Sequence, residues 1–190
     1  MYICILDRIE NSEEENQYYS EAIKKYGGIP IFINEDNVDK LNMCKGIVIT
    51  GGFNKGNLDD YLISYSISKN IPLLGICQGM QSMALYNNDN NILQNVNNHY
   101  ECNHLIRIDE SRLKKIIGKS EILVNSYHHQ QVLNSKEFKV IARSSDGVIE
   151  ALEGRDNVFQ IGVEWHPERM MDDDSSKRLF SNFINSCKYN

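Results

Sequence analysis

Cys77 sits in "PLLGICQGMQ", residues 72–81, between an apolar run and a run of helical character, with Gly75 and Gly79 on either side. The pattern G-x-C-x-G stands where a nucleophile elbow carries G-x-S-x-G: a sharp, strained strand-to-helix reversal that needs small residues around it. A helix starting at Gln78 aims its free N–H groups and the positive end of its dipole at the sulfur, which predicts a lowered thiol pKa. The same N–H groups can hold an oxyanion. A thiolate nucleophile needs a base to take and return a proton, and a group to orient that base. Of His99, His104, His128, His129 and His166, the last lies in "GVEWHPE", just after the apolar run "VFQIGV". Glu168, two residues on, can bond one imidazole nitrogen while the other faces the sulfur, and Pro167 stiffens the turn. Cys4, Cys44, Cys102 and Cys187 lack such a setting and read as structural.

These groups need a frame that brings residues 77 and 166 to one edge. "YICIL" (2–6), "IPIFI" (29–33), "GIVIT" (46–50) and "IPLLGI" (71–76) read as strands, with helical spacing between them. In the first helix, Tyr18, Ala22, Ile23 and Tyr26 are expected on the inner face, with Gly27-Gly28 ending it. Strand and helix alternating at this pace predict an α/β fold: a doubly wound, mostly parallel sheet with helices on both faces. Ligands of such sheets sit at the carboxyl ends of the strands. In the second half, "HLIRI", "EILVNS", "FKVIARS", "GVIEALEG" and "VFQIGVEW" are closely spaced and predict an antiparallel β extension, closed by an amphipathic helix over the last fifteen residues. "NNDNNILQNVNNH", 87–99, reads as a surface loop around one short strand.

Composition narrows the classes. A chain of 190 residues with 41% hydrophobic and 24% charged residues is expected to form a single domain over 1–190. The formal net charge of −6 gives no general attraction for nucleic acid or anionic membrane, so neither is an expected partner. Lys24-Lys25, Lys114-Lys115 and Lys177-Arg178 read as solvated helix faces. No signal peptide and no membrane-length apolar run is read. Five cysteines, widely spaced and without C-x-x-C, argue against a disulfide framework or zinc site and for a reducing cytoplasm. Abundant Asn, Ile, Lys and Tyr suggest an AT-rich bacterial genome.

"PLLGICQGMQ" together with "GVEWHPE" resembles the class I glutamine amidotransferase family. "YYSEAIKKYGGIPIFI", "GIVITGG", "EILVNSYHHQQV" and "DGVIEALEG" are similar to its γ-glutamyl hydrolase branch (peptidase C26), which includes γ-glutamyl-γ-aminobutyrate hydrolases. The resemblance implies a catalytic triad of Cys77, His166 and Glu168. It implies an oxyanion hole from the backbone N–H groups of Gly52 and Gln78, and glutamyl binding by Gln81, Ser126, Tyr127 and His128. Adjacent strand residues point to opposite faces, so only one of His128 and His129 is expected at the site. His99 and His104 resemble histidines of this branch, but their five-residue separation in an Asn-rich loop speaks against a metal. Neither metal nor cofactor is expected, and Glu150 is read as structural.

The implied activity is hydrolysis of the γ-glutamyl amide bond of a small conjugate through a thioester. One candidate substrate is γ-glutamyl-CDP-amidate of bacterial capsule biosynthesis, whose phosphates would meet Lys55 or Arg169. The alternatives are a glutaminase subunit feeding ammonia to a separate synthetase, and a non-catalytic glutamyl-binding regulator. This chain departs from the branch where "NLDDYLISYSISKN" replaces an R-D-x-x-E stretch, where Gln78 follows the nucleophile in place of Arg, and in its short 52–58 segment. Those changes bear on the acceptor side of the substrate.

Overall fold

The computed structural model describes residues 1–155 and 158–189. Its first half alternates β1 (Tyr2–Leu6), α1 (Glu13–Lys25), β2 (Ile29–Ile33), a 3-10 segment (Glu35–Met43), β3 (Cys44–Ile49), α2 (Asn57–Lys69), β4 (Leu73–Ile76) and α3 (Gln78–Leu85). The second half contains β5 (Leu93–Asn95), β6 (Tyr100–Ile108), α4 (Arg112–Ile117), β7 (Glu121–Tyr127), β8 (Gln130–Val132), β9 (Lys139–Ser144), β10 (Ile149–Glu153), β11 (Gln160–Val163), a 3-10 turn (Pro167–Arg169) and α5 (Asp174–Lys188).

Nine strands form one sheet in the order β2-β1-β3-β4-β11-β10-β9-β6-β7, and β5 pairs with β8 as a separate ribbon. The first five of these strands are parallel and the remaining pairings antiparallel. Side-chain alternation explains why both faces must be covered. In β1, Ile3 and Ile5 enter one apolar cluster with α1 and α5, while Cys4 and Leu6 enter another with α2 and α3. The doubly wound α/β expectation is met.

Several local expectations change. β11 was expected with the antiparallel extension, but it lies parallel to β4, with Gln160 opposite Leu73 and Val163 opposite Ile76. The β10–β11 hairpin turns the chain back so that β11 completes the parallel half, antiparallel only to β10. On α1, Tyr19 is buried and Tyr18 is 37% exposed, because Tyr19, Ala22 and Ile23 form the inward stripe. Ser12 and Glu15 close a capping box at the start of α1. The short α4, capped by Ser111 and ended by Gly118, carries Lys114-Lys115, a pair read as a helix face. The pairs Lys24-Lys25 and Lys177-Arg178 are likewise helical. All five cysteines are free, and among the described residues no helix is long and apolar enough to cross a membrane.

Candidate active site

β4 and β11 end side by side, which is what joins two distant segments. Cys77 follows β4 directly, its N–H donates to the Val163 carbonyl (2.8 Å), and His166 comes three residues after β11. Cys77 has φ 51° and ψ −110°, a left-handed conformation that a side chain adopts only when its surroundings force it. α3 begins in close approach to β3. A Cβ on Gly79 would stand 2.1 Å from the Ile49 carbonyl oxygen, so only glycine lets α3 start there. The elbow read in the sequence is present.

Cys77 and His166 line one pocket of about 130 Å³ with Glu10, Asn11, Glu15, Tyr19, Gly51, Gly52, Phe53, Tyr100, Tyr127 and Arg169. A Cβ on Gly51 would meet His166 Cε1 at 3.0 Å and Cys77 Cβ at 3.6 Å, so the two side chains flank that bare backbone. No hydrogen bond joins the sulfur to the ring among the described residues; such contacts commonly tighten when substrate is bound. His166 Nδ1 lies 2.6 Å from Glu168 Oε1, and both side chains are buried. That leaves Nε2 as the nitrogen available to the pocket.

The environment of the sulfur reverses the expected pKa direction. Burial pushes the Cys77 thiol well above its usual range, with Glu164 adding to the rise; the Gln78 N–H opposes it without prevailing. Desolvation of the anion outweighs one turn of helix N-terminus here. Glu164 is itself pushed well above the carboxylate range by burial and by Glu150.

The backbone N–H groups of Gly51 and Gly52 differ in their partners. The Gly51 N–H donates to the Tyr19 hydroxyl (3.0 Å), while the Gly52 N–H has no hydrogen-bond partner among the described residues. The loop carrying Gly52 is held by Arg8, whose guanidinium donates to the Thr50 and Asn54 carbonyls and pairs with Asp59 at 2.6 Å. Asp59 also accepts from Ser82 of α3 and from the Gly56 N–H. Arg8 and Asp59 were not singled out in the sequence; only their burial identifies them. Asn125 was likewise missed. Its side chain accepts from the His166 N–H (2.8 Å) and donates to the His166 carbonyl (3.0 Å), a two-point clamp on the His166 backbone.

The expected glutamyl residues divide. Tyr127 lines the pocket, with its ring centroid 6.0 Å from that of His166. Ser126 donates to the His99 carbonyl, and Gln81 donates to Glu164 Oε1 (2.5 Å) and the Gln130 carbonyl; neither is part of the pocket wall. His128 is buried beside His99, Glu150 and Glu164, and His129 stacks on Tyr100. Arg169 is in the wall, paired with Glu15 and lying 5.2 Å over the Tyr127 ring. Lys55 is outside it and paired with Asp60.

The fold is that of class I glutamine amidotransferase domains. The glutaminase domain of Trypanosoma brucei CTPS with bound acivicin superposes with a TM-score of 0.81 at 16% identity, covering 100% of this chain and 94% of that one. A Schizosaccharomyces pombe protein, named by inference a glutamine amidotransferase, is 30% identical over 92% of this chain and 83% of its own length. The gamma-glutamyl-gamma-aminobutyrate hydrolase PuuD of Escherichia coli is 28% identical over 67% of this chain and 58% of its own length. The Peptidase C26 model matches residues 54–168. The chain belongs to the Peptidase C26 family and is a glutamine amidotransferase-like hydrolase.

Proposed function

We propose that the protein hydrolyses the γ-glutamyl amide bond of a small conjugate, releasing glutamate and the amine. His166, oriented by Glu168, takes the Cys77 proton as the sulfur attacks the δ-carbonyl carbon. The tetrahedral oxyanion falls to the N–H groups of Gly52 and Gln78; one such donor contributes about 3–4 kcal/mol in comparable sites. His166 then passes its proton to the leaving nitrogen, the C–N bond breaks and a γ-glutamyl thioester remains. Water gives a proton to His166 and attacks the thioester carbonyl; glutamate leaves, and the thiol is restored. The observation that carries this reading is the strained Cys77 sharing one small pocket with an imidazole whose far nitrogen is bonded to Glu168.

γ-Glutamyl-CDP-amidate of capsule biosynthesis, handled in the cytoplasm, remains the specific substrate this reading favours. Arg169, in the pocket wall although paired with Glu15, supports a phosphate-bearing leaving group; Lys55, outside the wall, does not. The second reading is a glutaminase subunit serving a separate synthetase, supported by the fold shared with the CTPS glutaminase domain. The purified chain, assayed alone on glutamine and on a series of γ-glutamyl amides, separates the two. We expect turnover of a conjugate with little on glutamine, and loss of turnover by at least ~10³-fold in Cys77→Ala. Release of an amine without glutamate, or full activity in Cys77→Ala, would sink the proposal.

A further inference from the structure

Behind the pocket, four groups that the proposed chemistry does not use converge on one point: His99, His104, His128 and Glu150. One ligand atom from each lies within 4.8 Å of all the others. His99 Nδ1 is 3.2 Å from His128 Nε2, and Glu150 Oε1 is 3.5, 3.4 and 4.0 Å from His99 Nδ1, His104 Nε2 and His128 Nε2. Glu150 is fully buried, and His99 and His128 nearly so. Neither carboxylate oxygen of Glu150 and neither nitrogen of His104 has a hydrogen-bond partner among the described residues. Buried polar atoms are rarely left so. The Glu150 spacings are long for hydrogen bonds. They are near the roughly 3.3 Å edge of a tetrahedron whose ligands lie about 2.0–2.1 Å from a central ion.

The outer contacts settle which nitrogens face inward. His99 Nε2 lies 3.1 Å from Asp146 Oδ2, and His128 Nδ1 lies 2.8 Å from the Gln130 carbonyl. Each of these oxygens holds the adjacent ring N–H, which leaves the inner nitrogen of each neutral ring as a lone pair. Two lone pairs 3.2 Å apart repel unless a cation stands between them. Imidazoles oriented through their far nitrogen by a carboxylate or carbonyl are the habitual surroundings of a bound metal. Asp146 is in turn held by Ser144 Oγ.

We propose that His99, His104, His128 and Glu150 form a closed four-ligand site for a divalent cation, Zn²⁺ by its three nitrogens, one oxygen and tetrahedral spacing. The ion has a structural role. It ties the entry to β6, β6 itself, the β7–β8 link and β10 together, and so fixes the neighbouring Tyr100 and Tyr127 in the pocket wall. The sequence reading set His99 and His104 in an Asn-rich loop, whereas His99 immediately precedes β6 and His104 lies within it. In a regular strand, residues five apart face opposite sides. A register shift between Tyr100 and Cys102, with Glu101 at φ 52°, restores parity and brings the His99 and His104 rings to 4.7 Å.

The test is metal analysis of the tag-free protein, which does not depend on any substrate. We expect one equivalent of Zn²⁺ after purification without chelator. After chelation and reloading with Co²⁺, we expect the strong visible absorption of a tetrahedral site without a thiolate-to-cobalt band. Asp146→Asn should weaken Zn²⁺ binding about 10–100-fold with the far-ultraviolet spectrum unchanged, and His104→Ala should weaken it further. Cys77→Ser should retain the metal. The proposal fails if the chelated wild-type protein binds neither Zn²⁺ nor Co²⁺ in large excess, which would leave a shared proton between the rings. It also fails if folded His104→Ala binds as tightly as wild type, or if Cys77→Ser loses the ion. Should His104→Ala not fold, the wild-type Co²⁺ spectrum decides alone.

Discussion

At Cys77, two influences that are often taken to act together oppose one another. The helix N-terminus offers the sulfur the Gln78 N–H, and burial withholds solvent from the anion; burial prevails. The sign of the consequence is fixed. A thiol whose pKa lies above the ordinary value of about 8.5 is protonated at neutral pH and becomes the thiolate only as pH rises through the higher value. Alkylation of Cys77 by iodoacetamide, followed by peptide mass spectrometry, should therefore be slow at neutral pH and still climbing in the alkaline range. A plateau reached below pH ~8 would show the helix terminus to be the stronger influence. This prediction concerns the free protein.

Between elements, the critical contact is Arg8 with Asp59. It joins the end of β1 to α2, reaches α3 through Ser82, and holds the Thr50–Asn54 loop by two carbonyls. Their side chains are 4% and 0% exposed, so removing one partner leaves a buried charge unanswered. Asp59→Ala should cost about 3–5 kcal/mol of stability by chemical denaturation. An apolar double replacement, Arg8→Met with Asp59→Leu, should recover most of that loss, because two well-packed apolar groups need no mutual neutralisation. Turnover should not recover with it, since nothing then holds Gly52. Equal stability of the single and double variants would refute the argument.

Over the whole molecule, protection should follow the layering. β3, β4 and β11 lie inside the sheet with helices over both faces, whereas β5 and β8 form a two-stranded ribbon outside it. Two-stranded ribbons have little stability of their own. Amide hydrogen exchange read by mass spectrometry should find peptides from β3, β4 and β11 slowest and those from β5 and β8 markedly faster. Equal protection of the ribbon and β4 would mean that the ribbon is part of the same cooperative unit.

Local chemistry was enough to read some of this protein from its residues alone. The glycines around Cys77, the apolar runs and their spacing, and the adjacency of His166 and Glu168 are all written within a few positions of one another. They are legible because turns, periodicity and a two-residue hydrogen bond depend on near neighbours. What needed the tertiary structure involves partners dozens of residues apart. β11 runs parallel to β4, Asn125 grips the backbone of His166, and Arg8 braces the Gly52 loop through Asp59. The direction of the Cys77 pKa belongs here too, because desolvation is a property of everything packed around an atom. So does the gathering of His99, His104, His128 and Glu150, where a single bulge reverses the facing that strand periodicity predicts.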